Sequence, residues 1–171
     1  MNGLKILGVM MPDDGVLLDT SFFLRFLNEE DPLFAKADKY YQYFLQKEFR
    51  LFISTVSIAE YCVGGTIDQL PLKNLLIIPF NIEHAKKAGE LGRILYDVRK
   101  SGDLIISERP IIINDAKLFA QAEVESNIKF FVTSDSRSQT LYEAINSKIS
   151  INFSFIDIKT DHTEAFGILD L

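Results

Sequence analysis

The chain has 171 residues and few of the side chains that bind metals through sulfur or nitrogen. It contains one cysteine, Cys62, two histidines, His84 and His162, and no tryptophan. One cysteine cannot form an intrachain disulfide or a cysteine-based zinc site. The two histidines lie far apart without ligand spacing, and we expect both to be exposed. The sequence therefore offers no disulfide and no cysteine-based zinc site, and no histidine pair with the spacing of metal ligands.

Long hydrophobic runs are also missing. No stretch approaches the ~18 consecutive apolar residues of a membrane-spanning helix. The short apolar start is interrupted by Gly8, and Asp13 and Asp14 follow where a signal peptide would have small residues. We therefore expect a soluble, cytoplasmic protein with no membrane partner.

An excess of positive charge is the third absence, since 18 Lys and Arg stand against 24 Asp and Glu, for a net charge of −6. Proteins that coat nucleic acid through many cationic contacts are therefore disfavoured. The deficit lies at the ends, because residues 32–142 carry 14 basic and 13 acidic groups. An enzyme acting on nucleic acid stays open, since site carboxylates count in the total.

The composition includes 47% hydrophobic residues and 14 Phe, enough for a core. The length predicts a single domain over 15–158, with an N-terminal extension over 1–14 and a C-terminal tail over 159–171. Apolar runs and helical periodicity predict alternating elements. Strands are expected at 15–18, 51–53, 75–80, 129–133 and 151–158, and helices at 22–27, 34–46, 55–63, 82–99, 116–125 and 139–145. This alternation predicts an α/β domain with a mostly parallel sheet.

Four acidic residues stand at or after predicted strand ends or at the head of a helix: Asp19, Glu60, Asp115 and Asp135. Each has a local alternative as a helix cap, a first-turn acid or a turn residue. Asp115, however, shares a helical face with Leu118 and Phe119, where an ionised carboxylate is costly unless a cation meets it. The chemistry of a parallel sheet gathers beyond the carboxyl ends of its strands. If all four acids converge there, their mutual repulsion would be severe, and a divalent metal ion would relieve it. Oxygen ligands alone favour Mg²⁺ or Mn²⁺.

The motifs around these acids resemble those of PIN (PilT N-terminal) domain ribonucleases, in particular the VapC-like toxin branch. They are VLLDTSFFL around Asp19, STVSIAE ending at Glu60, NDAKLFAQA around Asp115 and FVTSD ending at Asp135. The resemblance implies a three-layer α/β/α fold, a carboxylate site for Mg²⁺ or Mn²⁺, and cleavage of RNA that leaves a 5′-phosphate. It places the hydroxyls of Thr20 and Thr133 near the metal.

The chain also departs from the family pattern. Many relatives carry a further acid or Asn after the last motif, where this chain has Ser136 and Arg137. Arg137 is a candidate for substrate phosphate, as is Arg25, which also has an ordinary surface role open to it. Residues 103–113 and 1–12 match no part of the family pattern, and translation from Met10 or Met11 stays open.

The predicted activity is a Mg²⁺-dependent endoribonuclease, as the toxin of a toxin–antitoxin pair. Its partners would be RNA, an antitoxin protein and a second copy in a homodimer. The aromatic helix over 34–46 is either part of such an interface or plain core. The alternative is a catalytically weak PIN-like module that binds RNA or a protein. A haloacid-dehalogenase-like phosphatase needs a second Asp where Ser21 stands, and a dinucleotide-binding domain lacks its glycine motif.

Overall fold

A five-stranded parallel sheet organises the chain. The structure, a computed structural model, describes residues 13–102 and 109–168, with no side chains described for 109–111. The strands are β1 (Gly15–Leu18), β2 (Arg50–Ser54), β3 (Leu76–Ile78), β4 (Ile128–Thr133) and β5 (Ser154–Asp157). The helices are α1 (Thr20–Phe26), α2 (Phe34–Gln46), α3 (Thr55–Tyr61), α4 (Ile82–Lys100), α5 (Arg109–Val124), α6 (Ser136–Asn146) and α7 (His162–Ala165).

The strand order is β3-β2-β1-β4-β5, and all four pairings are parallel. All five carboxyl ends therefore meet at one edge of the sheet. The central strand begins at Gly15, whose N–H donates to the carbonyl of Asn127 at 2.7 Å. A Cβ here would lie 2.5 Å from that carbonyl oxygen, so the close approach requires glycine.

Helices cover both faces of the sheet, which confirms the α/β class and the three-layer α/β/α arrangement. Alternate residues of β1 divide between two hydrophobic cores: Val16 and Leu18 face α1, α2 and α3, whereas Leu17 faces α4, α5 and α6. The aromatic side chains of α2 are buried in the first core, with Tyr40 and Phe44 fully inaccessible. The core interpretation of this helix is confirmed.

Several predicted boundaries shift. Helix α5 begins at Arg109 rather than residue 116, so Asp115 lies in its second turn and not at its head. Helix α6 begins at Ser136 because the Asp135 side chain caps it by accepting the Arg137 N–H at 2.9 Å. Residues 103–108 of the unassigned segment, and residues 1–12, lie outside the described part.

The last described residues, 159–168, pack against the domain rather than extending from it. Helix α7 was not predicted, and it leads to Phe166, which is only 9% exposed. The ring of Phe166 lies 4.9 Å from that of Tyr43 and 5.5 Å from that of Phe130. This segment thus belongs to the first core.

The expectation that both histidines are exposed is wrong, since the side chain of His162 is only 21% exposed and His84 departs further. The His84 side chain is completely buried, accepts the Asn81 N–H at Nδ1 (3.1 Å), and bonds through Nε2 to Glu125 (2.9 Å). The contact joins the start of α4 to the residue that follows α5. Among the helices of the described residues, none is both long and apolar enough to cross a membrane.

Candidate active site

The four predicted acids line one open pocket of about 500 Å³ at the carboxyl edge of the sheet. Each arrives on a different element: Asp19 between β1 and α1, Glu60 on α3, Asp115 on α5, and Asp135 between β4 and α6. The parallel topology therefore converges residues that are far apart in sequence. Other residues around the pocket include Thr20, Ser21, Arg25, Asn114, Ser134, Ser136, Arg137 and Lys159.

Asp19 is both a helix cap and a wall of the pocket. Its Oδ1 accepts the Phe22 N–H at 2.9 Å and the Ser21 hydroxyl at 2.8 Å, and its Oδ2 accepts the Thr133 hydroxyl at 2.5 Å. Burial raises the pKa of Asp19 to about 6, against the lowering effect of these three hydrogen bonds. The cap and site interpretations of Asp19 are both compatible with this geometry.

Glu60 is held by a hydroxyl from another helix. The Thr20 Oγ1 donates to Glu60 Oε2 at 2.5 Å, linking α1 to α3. The N-cap of α3 is Ser54, so Glu60 lies in the last turn and takes no part in a capping box. Val63, three residues after Glu60, is 89% exposed beyond the end of the helix.

Asp115 is the least satisfied carboxylate of the four. Its Oδ2 is buried and has no hydrogen-bond partner. Burial, and then the negative charges of Asp19, Asp135 and Glu60, raise the pKa of Asp115 to about 8. The predicted apolar face is present, because Leu118 and Phe119 of the same helix are buried. Such an atom is stabilised by a proton or by a cation.

Asp135 is paired with Arg137. The guanidinium donates from Nε to Oδ1 (3.2 Å) and from Nη2 to Oδ2 (3.0 Å). Partial burial raises the pKa of Asp135, but the hydrogen bonds and charge of Arg137 outweigh it and leave the pKa below its usual value. Arg137 therefore contacts a site carboxylate, whereas the sequence suggested a substrate phosphate as its partner.

Three residues of the pocket were not predicted as site residues from the sequence. Ser21 bridges the two central strand ends, since its hydroxyl donates to Asp19 and accepts the Ser134 N–H at 2.8 Å. Asn114 precedes Asp115 on the pocket wall. Lys159 comes from the segment assigned to a tail, and only its position two residues after β5 could have indicated it.

The donor set suits a hard divalent cation, although no three His, Cys, Asp or Glu side chains in residues 13–102 and 109–168 form a ready-made metal cluster. Hydrogen bonds from Ser21 and Thr133 reach the oxygens of Asp19, and those from Arg137 reach the oxygens of Asp135. The buried, unpartnered Oδ2 of Asp115 is the atom that a cation would satisfy best. We find that the residues fit such an ion.

The fold is similar to that of three solved structures of toxin–antitoxin proteins. VapBC2 from Rickettsia felis, bound to a DNA fragment from its promoter, matches with a TM-score of 0.52 and 21% identity over 84% of this chain and 98% of that chain. VapC20 of Mycobacterium tuberculosis, a toxin that cleaves the sarcin–ricin loop, matches with a TM-score of 0.50 and 16% identity, over 72% and 92%. DNA-bound VapBC from Salmonella typhimurium matches with a TM-score of 0.51 and 13% identity, over 86% and 99%.

No curated protein matches the sequence significantly. The model of the PIN domain family, in contrast, matches residues 16–144, a span that includes all four acids. Because this match covers most of the sequence and the sheet has the same architecture, the chain belongs to the PIN domain family.

Proposed function

We propose that the protein is an endoribonuclease that hydrolyses phosphodiester bonds of RNA with the help of Mg²⁺ or Mn²⁺. Membership of the PIN domain family supports a nuclease. The observation that carries the proposal is the convergence of four carboxylates on one pocket around the unpartnered Oδ2 of Asp115. Carboxylates at this density repel a polyanion unless a cation lies between them, so the pocket suits a metal-assisted reaction on phosphate.

The ligands of the cation would be Asp19, Glu60, Asp115 and Asp135. When bound, such an ion neutralises phosphate charge and lowers the pKa of water. The surrounding hydroxyls hold the carboxylates in place: Thr133 and Ser21 donate to Asp19, and Thr20 donates to Glu60. Partners of this kind orient metal ligands and preserve their geometry.

The arginine on Asp135 favours a second candidate, a module that binds RNA without cleaving it. A bidentate guanidinium competes with a cation for both oxygens of that carboxylate. The two candidates differ in one observable, since the nuclease shortens RNA and the binding module returns it intact.

Cleavage of a structured RNA by the purified chain in Mg²⁺ tests the proposal. We expect the wild type to cut the RNA, and Asp19→Asn to lose more than roughly 100-fold in rate, since loss of even an outer partner of a metal ligand costs about 10–100-fold. Asp68 is exposed and does not line the acidic pocket, and Asp68→Asn serves as the matched control. Cleavage that persists both in EDTA and in Asp19→Asn would contradict the mechanism, and intact RNA in a stable complex would favour the binding module.

We extend the proposal to a cytoplasmic toxin neutralised by an antitoxin protein, and to a homodimer in solution. The similarity of the fold to VapC proteins in VapBC complexes supports the antitoxin. Expression of the wild type in a bacterial host should arrest growth, whereas Asp19→Asn should not, and the product of the adjacent gene should restore growth. Unimpaired growth with the active enzyme would refute the toxin role. The molar mass from light scattering tests the homodimer, and the mass of one chain would contradict it.

A further inference from the structure

Lys159 places a cation on the wall of the acidic pocket, outside the residues 16–144 that match the PIN model. Its ammonium donates to the Ser136 hydroxyl at 2.5 Å and lies 3.8 Å from the carboxylate of Asp157. An ammonium has three N–H donors. The described residues therefore leave it with donors to spare.

The other two cations of the pocket are committed to carboxylates. Arg25 forms a 2.7 Å ion pair with Asp31, and Arg137 holds Asp135 with two hydrogen bonds. Lys159 lies 3.8 Å from the carboxylate of Asp157, which is beyond hydrogen-bonding distance. The positive charge of Lys159 is therefore the least neutralised of the three. The Lys159 side chain is 44% exposed, so an anion in solution can reach it.

The loop that carries Lys159 is anchored on three sides. The Ile158 N–H donates to the carbonyl of Thr133 at 3.0 Å, which ties the loop to β4. The Lys36 ammonium donates to the carbonyl of Lys159, and the Tyr40 hydroxyl donates to that of Thr160 at 3.0 Å. The backbone beneath the ammonium is thus fixed relative to Asp19 and Asp135, with little ordering left to accompany binding.

We propose that Lys159 binds a backbone phosphate of the RNA next to the bond that the carboxylate site cleaves. The inference rests on the proposed function, because it assigns a second phosphate of the same strand to the same pocket. A polyanion entering an acidic pocket is repelled by every carboxylate that lacks a cation. One anchored lysine at the rim attracts the flanking phosphate and sets the register of the strand.

The test is the binding of a single-stranded RNA oligonucleotide, by fluorescence anisotropy, to chains that carry Asp19→Asn to prevent cleavage. We expect Lys159→Ala to weaken binding about tenfold and to reduce the slope of log affinity against log salt by about 0.7, the value for one phosphate contact to a single strand. Lys159→Arg should restore both. Lys148, exposed beyond the far end of α6, supplies the matched control Lys148→Ala, which should change neither.

Three further readouts separate a phosphate contact from a structural role. In the active enzyme, Lys159→Ala should raise KM with little change in kcat, and the melting temperature should stay close to that of the wild type. The Mg²⁺ affinity by calorimetry should not fall, because the charge of Lys159 acts on Asp135 and its removal does not weaken the attraction of the carboxylates for a cation. Lys159→Gln, which retains a donor for Ser136, should bind RNA as weakly as Lys159→Ala. RNA affinity and salt slope equal to those of Lys148→Ala, in an enzyme that cleaves RNA, would overturn the role of Lys159 alone. Failure of the wild type to bind or cleave RNA would overturn the proposed function as well.

Discussion

Asp115 is the residue at which stability and metal binding conflict most directly. The apolar face of α5 and three neighbouring carboxylates oppose its negative charge, and its pKa is raised from 3.8 to about 8. Between these pH values the folded protein retains a proton that the unfolded chain releases. Without metal, the stability from this group is therefore complete below about pH 4 and is lost as pH rises through about 8.

Replacing Asp115 with Asn should remove this pH dependence. In EDTA, we expect Asp115→Asn to exceed the wild type by roughly 1–2 kcal/mol in free energy of unfolding at pH 8, and to show less difference at pH 5. Asp19, with its pKa raised to about 6, leaves a smaller pH dependence in the variant. Urea unfolding at both pH values measures the effect, with Asp68→Asn as the control. Equal pH dependence in the wild type and Asp115→Asn would contradict the raised pKa of Asp115 and both of its causes, burial and the neighbouring carboxylates.

At the scale of elements, the contact between His84 and Glu125 fixes how α4 and α5 pack. The Nδ1 of His84 accepts a backbone N–H, so its Nε2 carries the proton that is donated to Glu125. Sequence reasoning misplaced this histidine because its partner is 41 residues away and no local pattern announces the pair. His84, which the sequence shows as an isolated histidine near the start of a helix, is thus buried and links two helices.

His84→Ala should destabilise the protein by about 2–4 kcal/mol, because it opens a cavity and leaves both the Asn81 N–H and Glu125 without their partner. The neighbouring Glu83 is exposed, and Glu83→Gln should stay within about 0.5 kcal/mol of the wild type. Chemical denaturation measures both variants. A loss below that of Glu83→Gln would show that the link contributes no stability.

Sequence patterns predicted some elements to the residue and misplaced others for identifiable reasons. The apolar run of β1 and the helical periodicity of α2 predicted the first and last residues of both elements correctly. The start of α5 was missed because three consecutive isoleucines favour a strand, whereas Pro110 occupies the first turn, where proline is tolerated in a helix. The local alternative considered for the site acid Asp135 was a turn residue, whereas its side chain caps α6.

At the scale of the molecule, the residues after β5 pack into the first hydrophobic core. Phe166 packs against rings from α2 and β4, with centroids 4.9 Å away at Tyr43 and 5.9 Å away at Phe44. Phe166 stands in a short apolar stretch close to the end of the sequence, and only the fold shows which rings it packs against. The same segment anchors the loop of Lys159 through Tyr40.

Phe166→Ala should therefore lower the free energy of unfolding by about 3–4 kcal/mol, the cost of removing a buried aromatic side chain. The exposed Val63 provides a control, and Val63→Ala should leave stability within about 0.5 kcal/mol of the wild type. Thermal and urea unfolding measure both. A Phe166→Ala protein as stable as Val63→Ala would show that the packing of Phe166 contributes no stability.

The position of the pocket followed from topology, but its internal contacts did not. Parallel strands carry Asp19 and Asp135 to one edge, and this rule applies to any sequence with the same strand order. The bond from Thr20 to Glu60, in contrast, spans 40 residues and depends on how α1 crosses α3. The rim position of Lys159 depends likewise on the path of the chain after the last strand.

Asp19 caps α1 and also carries a charge of the pocket, so one substitution can remove the charge without removing the cap. Asn caps a helix about as well as Asp, so Asp19→Asn keeps the start of α1 while it removes the charge from the pocket. Ala at this position would lose both. A single amide-for-carboxylate exchange should thus yield a folded but inactive protein, whose surface outside the pocket is the same as that of the wild type.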